Sequence, residues 1–239
     1  MLITNYFTLF LQCTLCFAQA ADCSGLPLAI AKPAARVARP ITRFLDLYDA
    51  LNLKQAGLDR APFEYALGGL DKVNPARPVL SIVDLSQPSS HKRLYVIDLL
   101  ARKLLFHTYV SHGRNSGQLI AGHFSNEPAS YQSSLGFYRT LGSYEGKHGL
   151  SLQLQGLERS INDNAFDRAI VLHGAGHVCE DFIRQTGRLG RSQGCPAVSS
   201  ALSQPIIQAV RGGSCLFIYA PDAAYLRKST YLVNPYTSV

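Results

Sequence analysis

Three short apolar runs follow one another in the middle of the chain: VLSIVDL (79–85), RLYVIDL (93–99) and KLLFHTYVSHG (103–113). Their intervening segments, SQPSSHK and LAR, are turn-like. Runs rich in β-branched and aromatic residues and bounded by turn chemistry predict consecutive antiparallel strands. Further on, SLQLQGLE (151–158) alternates cleanly as a strand, and AIVLHG (169–174) is an apolar strand ending in a histidine. SCLFIYAP (214–221) reads as a closing buried strand. Helical spacing is confined to smaller pieces. Phe44, Leu47, Tyr48 and Leu51 recur at that spacing, and a second helix is predicted around Phe63, Tyr65, Ala66 and Leu70. Gly57 and the Gly68-Gly69 pair punctuate them. FIRQTGRLG suggests a short helix and turn, and SQPIIQAVRGG (203–213) a helix with a Gly-Gly stop. No internal repeat is present. The sum is a mainly β, α+β domain with short helices and a small helical N-terminal appendage that has no chemistry of its own. Residues 113–150 hold much Gly, Ser and Tyr with little periodicity; a long loop or hairpin lid is expected there, and such loops are usually functional.

The amino-terminal MLITNYFTLFLQCTLCFAQAADCSG carries no charged side chain before Asp22. Its apolar run ends at Ala18-Gln19-Ala20, a small-x-small cleavage pattern, and is shorter than the roughly 20 residues that a membrane span needs. A secretory signal cut after Ala20 is therefore expected, giving a periplasmic or secreted protein with no membrane span after cleavage. The Ala- and Pro-rich 21–40 reads as a linker. The expected organisation is signal 1–20, linker 21–40, helical segment 41–77, main β-rich domain 78–222 and C-terminal tail 223–239. Of six cysteines, the signal would remove Cys13 and Cys16. The remaining Cys23, Cys179, Cys195 and Cys215 are too few for a disulfide scaffold, and an exported thiol that stays reduced needs a reason.

With 47% hydrophobic and 16% charged residues the chain has material for a core and too little charge for disorder. The formal net charge of +7 suits an anionic partner. The basic residues are dispersed, with no run of the kind found in nucleic-acid-binding arms, so no nucleic acid is expected.

One stretch, GRLGRSQGCPAV (187–198), concentrates the chemistry. As a phosphate loop it fails, since it lacks the Gly-Lys-Ser/Thr ending and Pro196 prevents a following helix. As part of a metal site, His173, His177 and Cys179 form H-x-x-x-H-x-C, with Cys195 as a fourth donor. No Glu occupies the H-E-x-x-H position, however, and His173 closes an apolar β run, so the two histidines straddle a strand end and a turn. As a disulfide, Cys179 has Cys215 or Cys23 available, and each also reads as a small buried hydrophobe. As a nucleophile, Cys195 lies in a polar, glycine-flanked turn with Arg188 and Arg191 nearby in sequence, and positive charge lowers a thiol pKa. A thiol nucleophile needs a base and donors for an oxyanion. His173, 22 residues upstream, is the candidate base, with a backbone carbonyl to hold its tautomer. The N–H groups of Gly194 and Cys195 are candidate oxyanion donors. Gly194 leaves room for a substrate carbonyl, and Ser192 is placed to orient the histidine or a polar group of the substrate. No metal or cofactor is expected.

His173-Gly174 followed by Ser192-Gln193-Gly194-Cys195 resembles the His-Gly…Ser/Thr-x-Gly-Cys signature of the YkuD-type L,D-transpeptidases. The wider FSN…SSLGFYRT…YEGKHGLSL…GLE…ND…RAIVLHG…GRLGRSQGCPAV is similar to the branch described as murein L,D-transpeptidase catalytic-domain proteins. The likeness runs over roughly 78–222, and the helical stretch 41–75 also resembles that branch. It implies a sandwich- or barrel-like β domain with the cysteine on a pocket floor under a flexible lid. It further implies an enzyme that attacks the L-centre to D-centre bond of a peptidoglycan stem tetrapeptide, releases D-Ala and passes the acyl group to an amine of a neighbouring stem. Carried over, Cys195 is the nucleophile and His173 the base and then acid. Ser192, Gln193, Gly194 and Gly174 support them, and Arg191, Arg188, Asn126, Ser134, Tyr138 and His148 are candidate substrate contacts. Two positions depart from the pattern: Gln193 stands where many relatives have His, and Pro196-Ala197 where many carry an Arg two residues after the cysteine. Arg191 or Arg188 is expected to take that arginine's part. The alternatives are an L,D-carboxypeptidase or hydrolase of the same substrates, a non-catalytic cell-wall-binding module, and a zinc peptidase.

Overall fold

Eight strands build one mixed sheet: β1 (Val79–Asp84), β2 (Leu94–Asp98), β3 (Lys103–Thr108), β4 (Gly136–Gly146), β5 (Gly149–Gly156), β6 (Val171–Ala175), β7 (Ala197–Ser199) and β8 (Cys215–Tyr219). The structure is a computed structural model describing residues 44–232. The expected signal, the linker and Cys23 lie outside these residues. The strand order is β3-β2-β1-β8-β4-β5-β6-β7. β1, β2 and β3 form the predicted antiparallel meander. β8 then inserts beside β1 in parallel, which is why SCLFIYAP reads as continuously apolar: a strand with neighbours on both sides and cover on both faces has no polar face. The two ends of the sheet approach each other, for Ser111, just past β3, bridges Ala197 of β7. The fold is thus mainly β and nearly closed, with five short helices.

Those helices are α1 (Leu47–Ala50), α2 (Arg60–Val73), α3 (Glu180–Thr186), α4 (Ser200–Val210) and α5 (Ala223–Lys228). The helical stretch before β1 shares the sheet's core: Leu47, Leu53, Leu58, Phe63 and Leu67 lie in one cluster with Leu80, Ile82, Phe137 and Phe217. The Gly68-Gly69 pair does not punctuate α2, which runs through it to a left-handed cap at Asn74. A Cβ at Gly69 would fall 2.2–2.7 Å from three atoms of the Phe137 ring; the missing side chain is what lets helix and sheet touch.

Residues 223–232, expected as part of a tail, are folded onto the domain. Tyr225 and Ser229 both donate to the buried Glu158 carboxylate, which also accepts from Phe137 N–H. The aperiodic 113–150 is only partly loop, because its second part is β4. The inner residues of β4 pair with β8. Its outer residues, Ser143 to Gly146, pair with β5 alone, forming a two-stranded ribbon whose connection is Lys147-His148. Half-exposed ribbons lack a clean alternation, which explains the missing signal.

Candidate active site

β6 and β7 are parallel neighbours, with His173 opposite Ala197. Parallel strands require a crossover, here through α3, so residues distant in sequence meet at adjoining strand ends. Cys195, two residues before Ala197, comes to lie against the start of β6. Its Sγ accepts from Val171 N–H at 3.5 Å and donates to Ala169 O at 3.8 Å.

His173 is buried, and its Nδ1 lies 2.9 Å from Gly174 O. A carbonyl oxygen only accepts, so Nδ1 carries the proton and Nε2 keeps its lone pair. Burial lowers the His173 pKa from 6.5; the Gly174 carbonyl opposes this, and His148, His177 and Lys147 add to the lowering. The imidazole is therefore neutral and basic at Nε2 around neutral pH.

The thiol differs from the sequence-based expectation. Burial pushes the Cys195 pKa above 9, offset in part by Val171 N–H, Arg168, Lys147 and its own N–H. Arg188 and Arg191 do not serve the sulfur. Arg188 Nη1 donates to Leu189 O at 2.7 Å, and Arg191 Nη1 donates to Arg114 O at 2.8 Å and Gly117 O at 3.1 Å. Nearness in sequence is not nearness across a turn. A neutral thiol has to give its proton to a base before its sulfur can attack.

The turn itself is closed by Ser192, whose Oγ donates to Cys195 O at 2.6 Å and accepts from Gly194 N–H at 3.1 Å. Ser192 thus braces the turn rather than orienting the histidine. Gly194 N–H, expected as an oxyanion donor, is engaged in that bond, and Cys195 N–H faces its own sulfur. Gly194 has φ +122, and a Cβ there would sit 2.8 Å from Gln132 O. Its glycine identity answers to this backbone approach and not to room for a substrate carbonyl. Gln193 is exposed at the corner of the turn. Gly174 has a packing reason: a Cβ there would meet Ser203 Oγ at 2.8 Å, holding α4 away from β6.

Of the expected substrate contacts, His148 alone touches the candidate base, its ring stacked on that of His173. Tyr138 is wholly buried and donates to Ser134 O at 2.9 Å, so it is closed to substrate. Ser134 Oγ donates to Ser125 O at 2.7 Å and accepts from Arg168. Asn126 Nδ2 donates to Asp163 Oδ1 at 2.7 Å, and its Oδ1 accepts from Asn164 N–H at 3.2 Å. These three form framework behind the site. His177 lies in the turn after β6, not on a helix face shared with His173. Cys179 is a free thiol at the start of α3, and Cys215 is buried in β8. Among the described residues no group of His, Cys, Asp and Glu is arranged to hold a metal ion.

Sequence reasoning missed Arg168. The available signal was a basic residue placed directly before an apolar strand that ends in the candidate base.

Similar solved structures include an L,D-transpeptidase from Mycobacterium smegmatis, 12% identical with TM-score 0.37, over 60% of this chain and 59% of that one. Another is the helical cell shape determining protein Pgp2 from Campylobacter jejuni, 13% identical with TM-score 0.41, over 62% and 49%. The chain therefore spans less than two thirds of either protein. No curated protein matches it. A model of the L,D-transpeptidase catalytic domain matches residues 54–219, the greater part of the chain, and the chain belongs to that family.

Proposed function

We propose that the protein is an exported cysteine L,D-transpeptidase acting on peptidoglycan stem tetrapeptides. What supports this reading is that β6 and β7 bring His173, its proton fixed on Nδ1, opposite Ala197, two residues past a half-buried Cys195 whose thiol is seated on Val171 N–H. In the proposed cycle, His173 Nε2 takes the thiol proton as Sγ attacks the carbonyl of the stem's L-centre to D-centre bond. The tetrahedral intermediate collapses to a thioester while His173 returns the proton to the departing D-Ala amine. An amine of a neighbouring stem then attacks the thioester, losing its proton to His173. The new amide forms and the thiol is restored.

The test is to incubate the protein with disaccharide-tetrapeptide and read the products by mass spectrometry, beside Cys195→Ala and a chelator control. Cross-linked dimer with free D-Ala is the expected result. Tripeptide alone would make water the acceptor. Full turnover by Cys195→Ala would sink the thiol mechanism, and loss on chelation would point to a metal. An intact protein that neither turns over nor gains an acyl mass would be a binding module.

A further inference from the structure

Arg168 lies three residues before the start of β6 and sits beside the nucleophile turn without belonging to it. Its Nη1 donates to Ser125 O at 2.8 Å and to Ser134 Oγ at 2.6 Å. Its Nη2 donates to Ser130 Oγ at 3.1 Å and to Gln132 O at 2.8 Å. All four terminal N–H bonds are spent on one segment, 125–134, which leaves only Nε–H for any other partner. That same segment abuts the nucleophile turn: Ser133 Oγ donates to Gly194 O at 3.1 Å. A Cβ at Gly194 would be 3.5 Å from Arg168 Nη2, and the next residue, Ala169, offers the carbonyl that meets Sγ.

A guanidinium so placed is half-buried, and among the described residues no carboxylate forms an ion pair with it. Burial opposes its charge, and Tyr138, Cys195 and Glu127 favour it. The cations that act on the sulfur are Arg168, from before β6, and Lys147, from the β4–β5 connection; the neutral His173 lies on β6 two residues beyond Val171, whose N–H meets the sulfur. Arg168 is fixed by four hydrogen bonds, whereas Lys147 stands on an exposed tip.

We propose that Arg168 is a positioning residue for the nucleophile: its guanidinium, pinned to the 125–134 segment, is the fixed counter-charge that steadies the Cys195 thiolate once His173 has taken the proton. Arg188 and Arg191, the arginines near the cysteine in sequence, have no such part. The inference rests on Cys195 being the nucleophile, as proposed above, but its test reads the sulfur directly, whether or not stem peptides are turned over.

The experiment measures the pH dependence of Cys195 alkylation by iodoacetamide, with the modified peptide identified by mass so that Cys179 does not contribute. Arg168→Gln keeps donors without charge, and its alkylation midpoint is expected to rise by about one pH unit, roughly a tenfold loss of thiolate at a given pH below it. Arg168→Lys keeps a charge with fewer donors and is expected to fall between Arg168→Gln and the wild type. Arg188→Gln and Arg191→Gln are expected to match the wild type. A folded Arg168→Gln with the wild-type midpoint overturns the proposal. So does an Arg168→Lys midpoint displaced as far as that of Arg168→Gln, which would make the role purely structural. Should Arg168→Gln fail to fold, Arg168→Lys is compared with Ser130→Ala/Ser134→Ala, which loosens the brace and leaves the charge. The midpoint is expected to move in the first and not in the second, and the reverse order overturns the proposal.

Discussion

The imidazoles of His148 and His173 stack with ring centroids 4.4 Å apart and planes at 21°. Ser151, three residues after His148, is the β5 partner of His173, so the ribbon tip folds back over the very strand that its base joins. The cover has an electrostatic consequence. Burial, and with it the charge of a protonated His148, holds the His173 pKa below 6.5. His148→Ala uncovers the ring and removes that charge, and both changes raise the pKa toward 6.5. At a given mildly acidic pH more of the proposed base is then protonated and unable to accept the thiol proton. The acid limb of the acylation-rate profile is expected to move to higher pH, and less so for His148→Phe, which keeps the cover without the charge. An unmoved limb in His148→Ala would show that the stack has no influence on the base.

His173→Ala gives a second expectation. The thiol's own pKa lies above 9, so at neutral pH little thiolate exists without a base to accept its proton. Acylation in this variant is expected to slow by about 10²–10⁴-fold, with far-ultraviolet circular dichroism unchanged. The loss should shrink as the pH approaches the thiol's pKa, because hydroxide then does the work of the imidazole. A wild-type rate at pH 7 would refute the assignment of His173 as base.

How far the sequence discloses this site depends on which residues obey local rules. The meander, β5, β6 and β8 are legible because each is a compact apolar or alternating run. β7, three residues long, is too short to carry a period. α5 is recruited by the Glu158 carboxylate, a contact across 67 positions in the case of Tyr225. Cys195 and His173 announce themselves through motif spacing. The surroundings of the thiol do not, because the charges that reach it come from Arg168 and Lys147, 27 and 48 residues upstream, and not from Arg191, four residues upstream. Strand pairing decides proximity here, and the register of β6 against β7 has no local signature. The same holds for Tyr138 and Asn126, which share the family-like context yet are bound into framework.

A third expectation concerns acid stability. Arg93 is fully buried and donates from Nη2 to His112 Nδ1 at 2.7 Å. That fixes the His112 proton on Nε2, which faces Gly117 O at 3.3 Å. Burial, with the Arg93 charge beside it, lowers the His112 pKa from 6.5 to about 4. As pH falls through 6.5 the unfolded chain takes up a proton that the folded chain refuses until about pH 4. The unfolded state binds more protons across that window, so stability falls with pH there. The full loss is on the order of 3 kcal/mol once the pH is below 4. His173 and His177, also lowered by burial, act with the same sign. His112→Asn retains an acceptor for Arg93 and does not titrate. Urea midpoints measured from pH 7 to 4.5 should therefore decline less steeply in this variant than in the wild type. Equal slopes would remove His112 from the account.

The contact between α2 and β4 yields the last. Gly69 sits inside a helix, where exchanging glycine for alanine ordinarily stabilises by about 1 kcal/mol. Here the added methyl would fall on the Phe137 ring. That ring cannot withdraw, because Phe217 stacks on it at 4.3 Å and Tyr231 at 5.6 Å. Gly69→Ala is therefore expected to destabilise by about 1–3 kcal/mol, the usual range for overpacking a core. Phe137→Leu alone should also cost stability, by opening space beneath the helix. In the double variant the methyl enters that space, so its loss should be smaller than the sum of the two single losses. Strict additivity, or a Gly69→Ala variant more stable than the wild type, would mean that α2 stands off the sheet. The helical segment would then be an appendage after all, and not a wall of the core that holds β4 in place.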